Sequence, residues 1–334
     1  MCRTGVLAFA IILFAAGAAA KTPLRIMTLN AEWLVSEEGE TDKDPWGPPY
    51  TLNEHLERIA GIIETLQPDI VNLVEVTTKA GVDRLVAILH EKGSTDYKGF
   101  HIESYDNITG QDVGLVSKYT PDVIKGAYIR NFYSTGQHSE WRADYTWKTA
   151  RGVTKHDHTS ISKNAVYCFT IDGHKLGFLG LHLKADPDSA EANGQRTGQS
   201  RVAQKIIREE IVARGYIPIV LGDFNDYDPD VPDRDDTCST KSKVLSYLKD
   251  YNTTLRGPEL VNAAVKITRV FDRYTSHYDL DDDRVPDEGE PMTMIDHILI
   301  HKKLLPAVRR VFIDHGHGGQ TSDHWPVIVD LELE

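Results

Sequence analysis

The 334-residue chain is poor in cysteine, with 3 in all, and short of cations, with 37 Lys and Arg against 50 Asp and Glu and a net charge of −13. Cys2 lies in the apolar N-terminal stretch, so only Cys168 and Cys238 remain to pair, which excludes a disulfide-built scaffold. Whether those two bridge in an oxidising compartment stays open, because Cys168 sits in an apolar, strand-like run. The acidic balance excludes a simple electrostatic coat for nucleic acid. It leaves room for an enzyme on a polyanion if divalent cations and a local basic strip offset the repulsion. Beyond residue 20 no apolar run is long enough to cross a bilayer. Linkers rich in Pro, Gly or Ser, repeats and low-complexity tracts are missing too, which argues for one domain.

Residues 1–20 do contain a signal: Arg3, an apolar run from Gly5, and the small-residue exit Ala18, Ala19, Ala20. A charged start, short apolar middle and small exit are the marks of a secretory signal peptide. Cleavage is expected near Ala20/Lys21, giving a mature domain over 21–334 that is secreted or periplasmic, monomeric and without stable membrane association. An uncleaved anchor helix is the alternative. Asn107 and Asn252 stand in glycan-acceptor sequences, which matter only in a eukaryotic host.

Strand-like and helical patterns alternate along the rest. Strands are expected at 24–29, 70–76, 113–117, 166–171, 176–181, 217–221, 298–300 and 327–331, with helices at 53–66, 82–91, 201–213 and 241–249. The alternation predicts one continuous α/β domain. In the first helix Leu56, Ile59, Ile63 and Leu66 recur at helical spacing, Thr51 with Glu54 offers a capping box, and Pro68 stops the pattern.

Polar residues mark the strand ends. Asn30 follows the first strand, Glu75 nears the end of the second, His182 ends another, and Asp223 with Asn225 ends the one after that. Asp296 and Asp323 precede the last two strands, as expected if those run antiparallel and return to the same edge. Each has an ordinary reading as a turn residue, a solvated end or a satisfied core histidine. No packing rule, however, asks for polar groups at the same end of successive buried strands, and that edge of an α/β sheet is where loops converge on ligands. A carboxylate to hold a hard cation, an imidazole to move a proton and a carboxamide to bond a phosphoryl oxygen point to phosphate-ester chemistry.

Six segments in order carry a resemblance: Arg25-Ile-Met-Thr-Leu-Asn30, Asp69-Ile-Val-Asn-Leu-Val-Glu75, Gly180-Leu-His182, Leu221-Gly-Asp223-Phe-Asn225, Ile295-Asp296-His297 and Ser322-Asp323-His324-Trp325-Pro326. Over essentially the whole mature chain they resemble the endonuclease/exonuclease/phosphatase superfamily, in its secreted, deoxyribonuclease I-like branch. The resemblance implies a four-layered α/β sandwich, two mixed β-sheets face to face with helices on the outer faces, and metal-assisted hydrolysis of a phosphate ester. It implies Glu75 as principal ligand of Mg2+, with Mn2+ as the alternative, and Asn30 and Asp323 filling or orienting that site. It further implies His324 as base or electrostatic catalyst oriented by Asp296, His182 as the partner acid or base, and Asp223 and Asn225 positioning water and a phosphoryl oxygen. Asp112 is a loose match for an orienter of His182.

His182 and the export signal count against the intracellular abasic-site repair branch. Met294-Ile295-Asp296-His297 replaces the Trp-x-Asp-Arg context of inositol polyphosphate phosphatases. A nuclease, with DNA favoured, and a sphingomyelinase-like phospholipase C remain, with a non-catalytic binding protein on the same fold as a third reading. Between 125 and 155, six cations including Arg130, Arg142, Lys148 and Arg151 face only Glu140 and Asp144, interleaved with aromatics. That pattern suits a phosphate backbone with base contacts, so those four are expected to bind substrate. A surface hairpin with ordinary packing aromatics is the plain alternative. Asp279, Asp281, Asp283, Asp287 and Glu290 follow a Ca2+-loop register, but Arg284 stands where the turn wants Gly, so a solvated loop ranks above a structural Ca2+. His315 and His317 are a weak Zn2+ pair.

Overall fold

The computed structural model describes residues 21–35, 52–134, 140–235, 242–281, 283–317, 319 and 321–334. Residues 1–20, where a signal peptide is expected, Thr51 of the expected capping box and Cys238 lie outside them. Cys168 is buried, with its thiol free. The strands are β1 (Thr22–Leu34), β2 (Ile70–Val76), β3 (Lys98–Ile102), β4 (Asp112–Ser117), β5 (Ile129–Arg130), β6 (Ala143–Lys148), β7 (Thr154–Thr159) and β8 (Asn164–Ile171). They continue with β9 (His174–His182), β10 (Ile217–Asp223), β11 (Leu260–Asn262), β12 (Ser276–His277), β13 (Met292–Thr293), β14 (Asp296–His301), β15 (Val308–Ile313) and β16 (Val327–Leu333). The α-helices are α1 (Leu52–Leu66), α2 (Lys79–Glu91), α3 (Ala190–Ile206) and α4 (Val244–Lys249).

Two six-stranded sheets result, ordered β15-β16-β1-β2-β4-β3 and β11-β14-β10-β9-β8-β5. Each has one parallel pair, β1 with β2 and β9 with β10, among antiparallel neighbours. Parallel neighbours need a crossover, and α1 and α3 supply the two. The central strands are buried almost throughout, because side chains alternate between two faces and each sheet has both faces apolar. Ile26, Ile70, Leu115, Phe178, Leu221 and Ile298 meet between the sheets. Met27, Leu29 and Leu73 pack outward against Ile59 and Ile63 of α1 and Leu85 and Leu89 of α2. Leu179, Leu181 and Val220 pack outward against Val202 and Ile206 of α3 and Leu248 of α4. Each such side chain contributes roughly 1.5–3 kcal/mol by leaving water. The result is the expected four-layered sandwich.

One polar chain crosses the central core. Asn72 donates from Nδ2 to Thr28 Oγ1 at 3.1 Å and accepts at Oδ1 from the Tyr167 hydroxyl at 3.0 Å. A Cβ on Gly180 would stand 2.2 Å from that same Oδ1, so the second sheet approaches here only because residue 180 is glycine. A satisfied buried network of this kind fixes the relative register of two sheets that apolar contact alone would let slide.

α3 begins at Ala190, well before the helix start expected at 201, with Ser189 capping it through a bond from Ala192 N. Its first turns lack an apolar stripe because the β6–β7 hairpin covers them through polar contacts such as Gln195 to Thr159 and Arg201 to the Asp144 carbonyl. No helix among the described residues is long and apolar enough to cross a membrane.

Candidate active site

The strand registers place the polar residues before any side chain is considered. In the second sheet His182 of β9 pairs with Asp223 of β10, which in turn pairs with Asp296 of β14, so three functional groups stand abreast at one edge. Gly222 makes this possible: its φ is +130°, and a Cβ there would lie 2.0 Å from the Leu181 carbonyl oxygen. In the first sheet Asn30 ends the regular part of β1, and Glu75 sits in a bulge of β2 with φ +61°. Asn225 also takes a positive φ, +50°, as the chain turns away. Left-handed backbone at two non-glycine site residues is strain of the sort found where a side chain must be aimed.

Because the sheets face each other, the two sets meet. Asn30 Nδ2 donates to Glu75 Oε1 at 3.0 Å and to Asp223 Oδ2 at 3.2 Å, bridging the sheets. His182 Nε2 lies 3.8 Å from Glu75 Oε1 and 3.7 Å from Asp223 Oδ2. On the other flank His324 Nδ1 bonds Asp296 Oδ2 at 2.6 Å, and its Nε2 is 4.0 Å from the half-exposed Asp323. Ser322 steers this corner by donating to the Asn30 carbonyl and accepting from His324 N. Asn225 N donates to Asp223 Oδ1 at 2.8 Å, while its side chain donates to the Leu183 carbonyl at 3.3 Å.

The electrostatics separate the two imidazoles. Burial, reinforced by Lys163, His324 and Lys184, holds His182 well below the ordinary histidine value. Burial alone would do the same to His324, but the carboxylates of Asp296, Asp323 and Asp223 overcome it and hold this ring well above. Burial pushes Glu75 up to about 7, with help from Asp323, and Asp223 up to about 7, with help from Asp296. Like charges desolvated together behave this way when no cation balances them.

The donor set fits a hard divalent cation. Asp223, Asp296 and His324 bring ligand atoms within 4.8 Å of one another, Glu75 is linked to Asp223 through Asn30 Nδ2, and buried Asp296 Oδ1 has no hydrogen-bond partner among the described residues. Since His324 Nδ1 is spent on Asp296, the oxygens are the better ligands.

Several expectations are corrected. Asp112 does not reach His182: its carboxylate holds His101 Nε2 at 2.6 Å and Ser104 N at 2.7 Å, and His182 Nδ1 is buried without a partner among the described residues. Arg130 is not free for substrate, because Glu210 takes it at 2.5 Å on the helix side of the second sheet. Arg142 is half-buried, while Lys148 and Arg151 are exposed at the far end of the β6–β7 hairpin, so the four are not brought together. The 279–290 loop does not close as a Ca2+ loop. Glu290 is committed to His277 at 2.6 Å and to two backbone amides, although Asp279, Asp281 and Asp283 do cluster. His315 stacks on Tyr274 and His317 pairs with Asp314, so they form no metal pair.

Three residues that sequence reasoning missed belong to this corner. Lys163, one residue before β8, is half-buried within electrostatic reach of Glu75 and Asp223, and its carbonyl accepts His182 N at 3.1 Å. Glu32 accepts Asp323 N at 3.1 Å and is clasped by both guanidinium nitrogens of Arg284. A cation at the mouth of a strand that antiparallels the His182 strand was a readable signal. The Glu32–Arg284 pair, far apart in sequence, offered none.

The model of the endonuclease/exonuclease/phosphatase family matches residues 27–324. The chain belongs to that family. Members of the endonuclease/exonuclease/phosphatase family hydrolyse phosphate esters, in keeping with a buried acidic site that suits a divalent cation. A search of the curated proteins finds no match. Among solved structures, TDP2 from Caenorhabditis elegans is 18% identical, covering 93% of this chain and 74% of that one with a TM-score of 0.54. TDP2 from D. rerio complexed with single-strand DNA product is 17% identical over 92% and 98% of the two chains, TM-score 0.53. A family protein from Leptotrichia buccalis C-1013-b is 14% identical over 93% and 100%, TM-score 0.55. At such identities these likenesses establish the fold.

Proposed function

We propose that this protein is an exported, metal-assisted phosphodiesterase that cleaves nucleic acid, DNA by preference, in the manner of a deoxyribonuclease I-like endonuclease. The observation that carries the reading is the gathering of two imidazoles at buried Asp223, His182 Nε2 3.7 Å from its carboxylate and His324 held by Asp296 at 2.6 Å within the same cluster, with burial disfavouring the charged form of the first ring and carboxylates favouring that of the second. Two histidines tuned apart across one site are what in-line displacement at phosphorus requires, one to accept a proton and one to give it. In this reading neutral His182 takes the proton of the attacking water. Asp223 and Asn225 orient that water, and His324, kept charged by Asp296, supplies positive charge or a proton to the departing oxygen. Glu75, Asn30 and Asp323 would hold Mg2+, which when bound would supply Lewis-acid polarisation of the phosphoryl oxygen. The single-strand DNA product bound by a fold relative supports a nucleic-acid substrate, and the N-terminal signal supports export.

The test is a plasmid assay. Supercoiled DNA incubated with the protein and Mg2+ should become nicked, with EDTA and His324→Ala both preventing it. Intact plasmid in every lane, with sphingomyelin hydrolysed instead, would replace this reading by the phospholipase one.

A further inference from the structure

A polar cavity of about 390 Å³ opens beside the catalytic cluster, bounded by Tyr105, Tyr133, His158, Ser162, Gln195 and Gln199. Three links of the chain tie it to the site. Asp106 of the cavity wall lies 3.9 Å from Lys163 Nζ, Lys163 follows Ser162 directly, and Gln199 Oε1 accepts Lys184 N just past His182. Its size is that of a pocket for a small molecule or one residue of a polymer. At the rim the rings of Tyr105 and Tyr133 stack at 4.6 Å and 13°, and Tyr105 is 49% exposed, so an aromatic face is open to solvent.

Lys163 joins the cavity to the carboxylates. Its ammonium carries three donors, and among the described residues its hydrogen-bond acceptor is Gln111 Oε1 at 3.1 Å, with Asp106 the nearest carboxylate. Half-buried, with one hydrogen bond to Gln111 and one longer ion pair to Asp106, the ammonium keeps donor capacity for an incoming anion. The anion that both Lys163 and the Glu75–Asp223 edge would see is a phosphate diester at the reaction centre.

We propose that this cavity is a nucleotide subsite: Lys163 grips a non-bridging oxygen of the scissile phosphate, and the adjoining nucleoside lodges in the cavity with its base against Tyr105 and its edge facing Gln195, whose Nε2 is held by Thr159. A flat aromatic face beside a carboxamide suits a heterocycle with donors and acceptors on its rim. A choline headgroup would call for a cage of aromatic faces around a cation, and two acyl chains would call for an apolar channel. The inference rests on the nuclease reading and narrows it, because it assigns specificity to the nucleoside next to the cut.

Calorimetric titration in Mg2+ of the purified protein with thymidine 5′-monophosphate, phosphocholine and inorganic phosphate tests it. The nucleotide should bind about tenfold or more tightly than either other phosphate. Tyr105→Ala, at an exposed loop position that the core does not use, should erase that margin, and Lys163→Gln should weaken all three ligands. Equal affinities in the unaltered protein, or a margin that survives Tyr105→Ala, overturns the subsite. Plasmid nicking keeps the two failures apart. Nicking without a nucleotide margin refutes the subsite alone, whereas intact plasmid with phosphocholine as the tightest ligand refutes the nuclease reading with it.

Discussion

Asp296 Oδ2 lies 2.6 Å from Nδ1 of His324, at the start of β14 and just ahead of β16, and this bond fixes the tautomer of the ring and leaves Nε2 for the reaction. The contact joins the two sheets at the point where the chemistry is assigned. Asp296→Asn should keep the fold and lower turnover by about 10² to 10⁴ fold. The His324 ring should then titrate at lower pH, since its main balancing carboxylate is gone. NMR of the ring protons against pH checks this, and an unmoved titration would show that Asp296 does not tune His324.

Divalent cations should stabilise the protein in a pH-dependent way. Glu75 and Asp223 titrate near 7 in the folded state without a cation, against about 4 for free carboxyls. Between those values the folded state holds more protons than the unfolded one, so in EDTA stability falls as pH rises from about 4 to about 7. Mg2+ should cancel that loss, giving a rise in Tm that is larger at pH 8 than at pH 5. Glu75→Gln should remove most of the rise. A Tm indifferent to Mg2+ at pH 8 would count against a cation in this cluster.

Glu210 should behave in the opposite sense. Burial would raise its carboxyl, but hydrogen bonds from Arg130 and Arg214 overcome this and hold it below the ordinary glutamate value. A depressed carboxyl contributes stability that is present above its unfolded value and is lost as pH falls through its folded one. Glu210→Gln leaves Arg130 uncompensated and should cost about 3 kcal/mol at neutral pH. In paired melts the gap from the unaltered protein should narrow below about pH 4.

Gly222→Ala should be among the most damaging single-methyl changes. It puts a Cβ on the Leu181 carbonyl and forces a side chain into a φ of +130°. A loss of roughly 3 kcal/mol or more is expected from the combined clash and backbone strain. Denaturant unfolding measures it, and a change under 1 kcal/mol would mean that β9 and β10 can shift apart.

Much of the fold was legible because its signals are local. Buried strands such as β2 and β10 read as continuous apolar runs, α1 as a helical stripe stopped by Pro68, and the polar residues stood at the strand ends where the structure finds them. α3 was read too short because its first turns are covered by a polar hairpin, so apolar periodicity had nothing to report. The basic strip misled for a related reason: charge in sequence does not say which cation has a buried carboxylate waiting, and Arg130 has Glu210.

The sequence by itself determined the layers, the edge at which the functional groups emerge and the family to which the chain belongs, since periodicity and strand-end residues act over a few positions. The tertiary structure decided which groups touch. Asn30 reaches Asp223 across the two sheets, Lys163 joins His182 beside the β8–β9 pairing, and Glu32 meets Arg284 from a distant loop, while Asn72 and Gly180 mark the close approach of the sheets. The opposite shifts of His182 and His324 belong to the same level. They arise from desolvation and from the carboxylates and lysines that surround each ring, distances that no linear pattern contains.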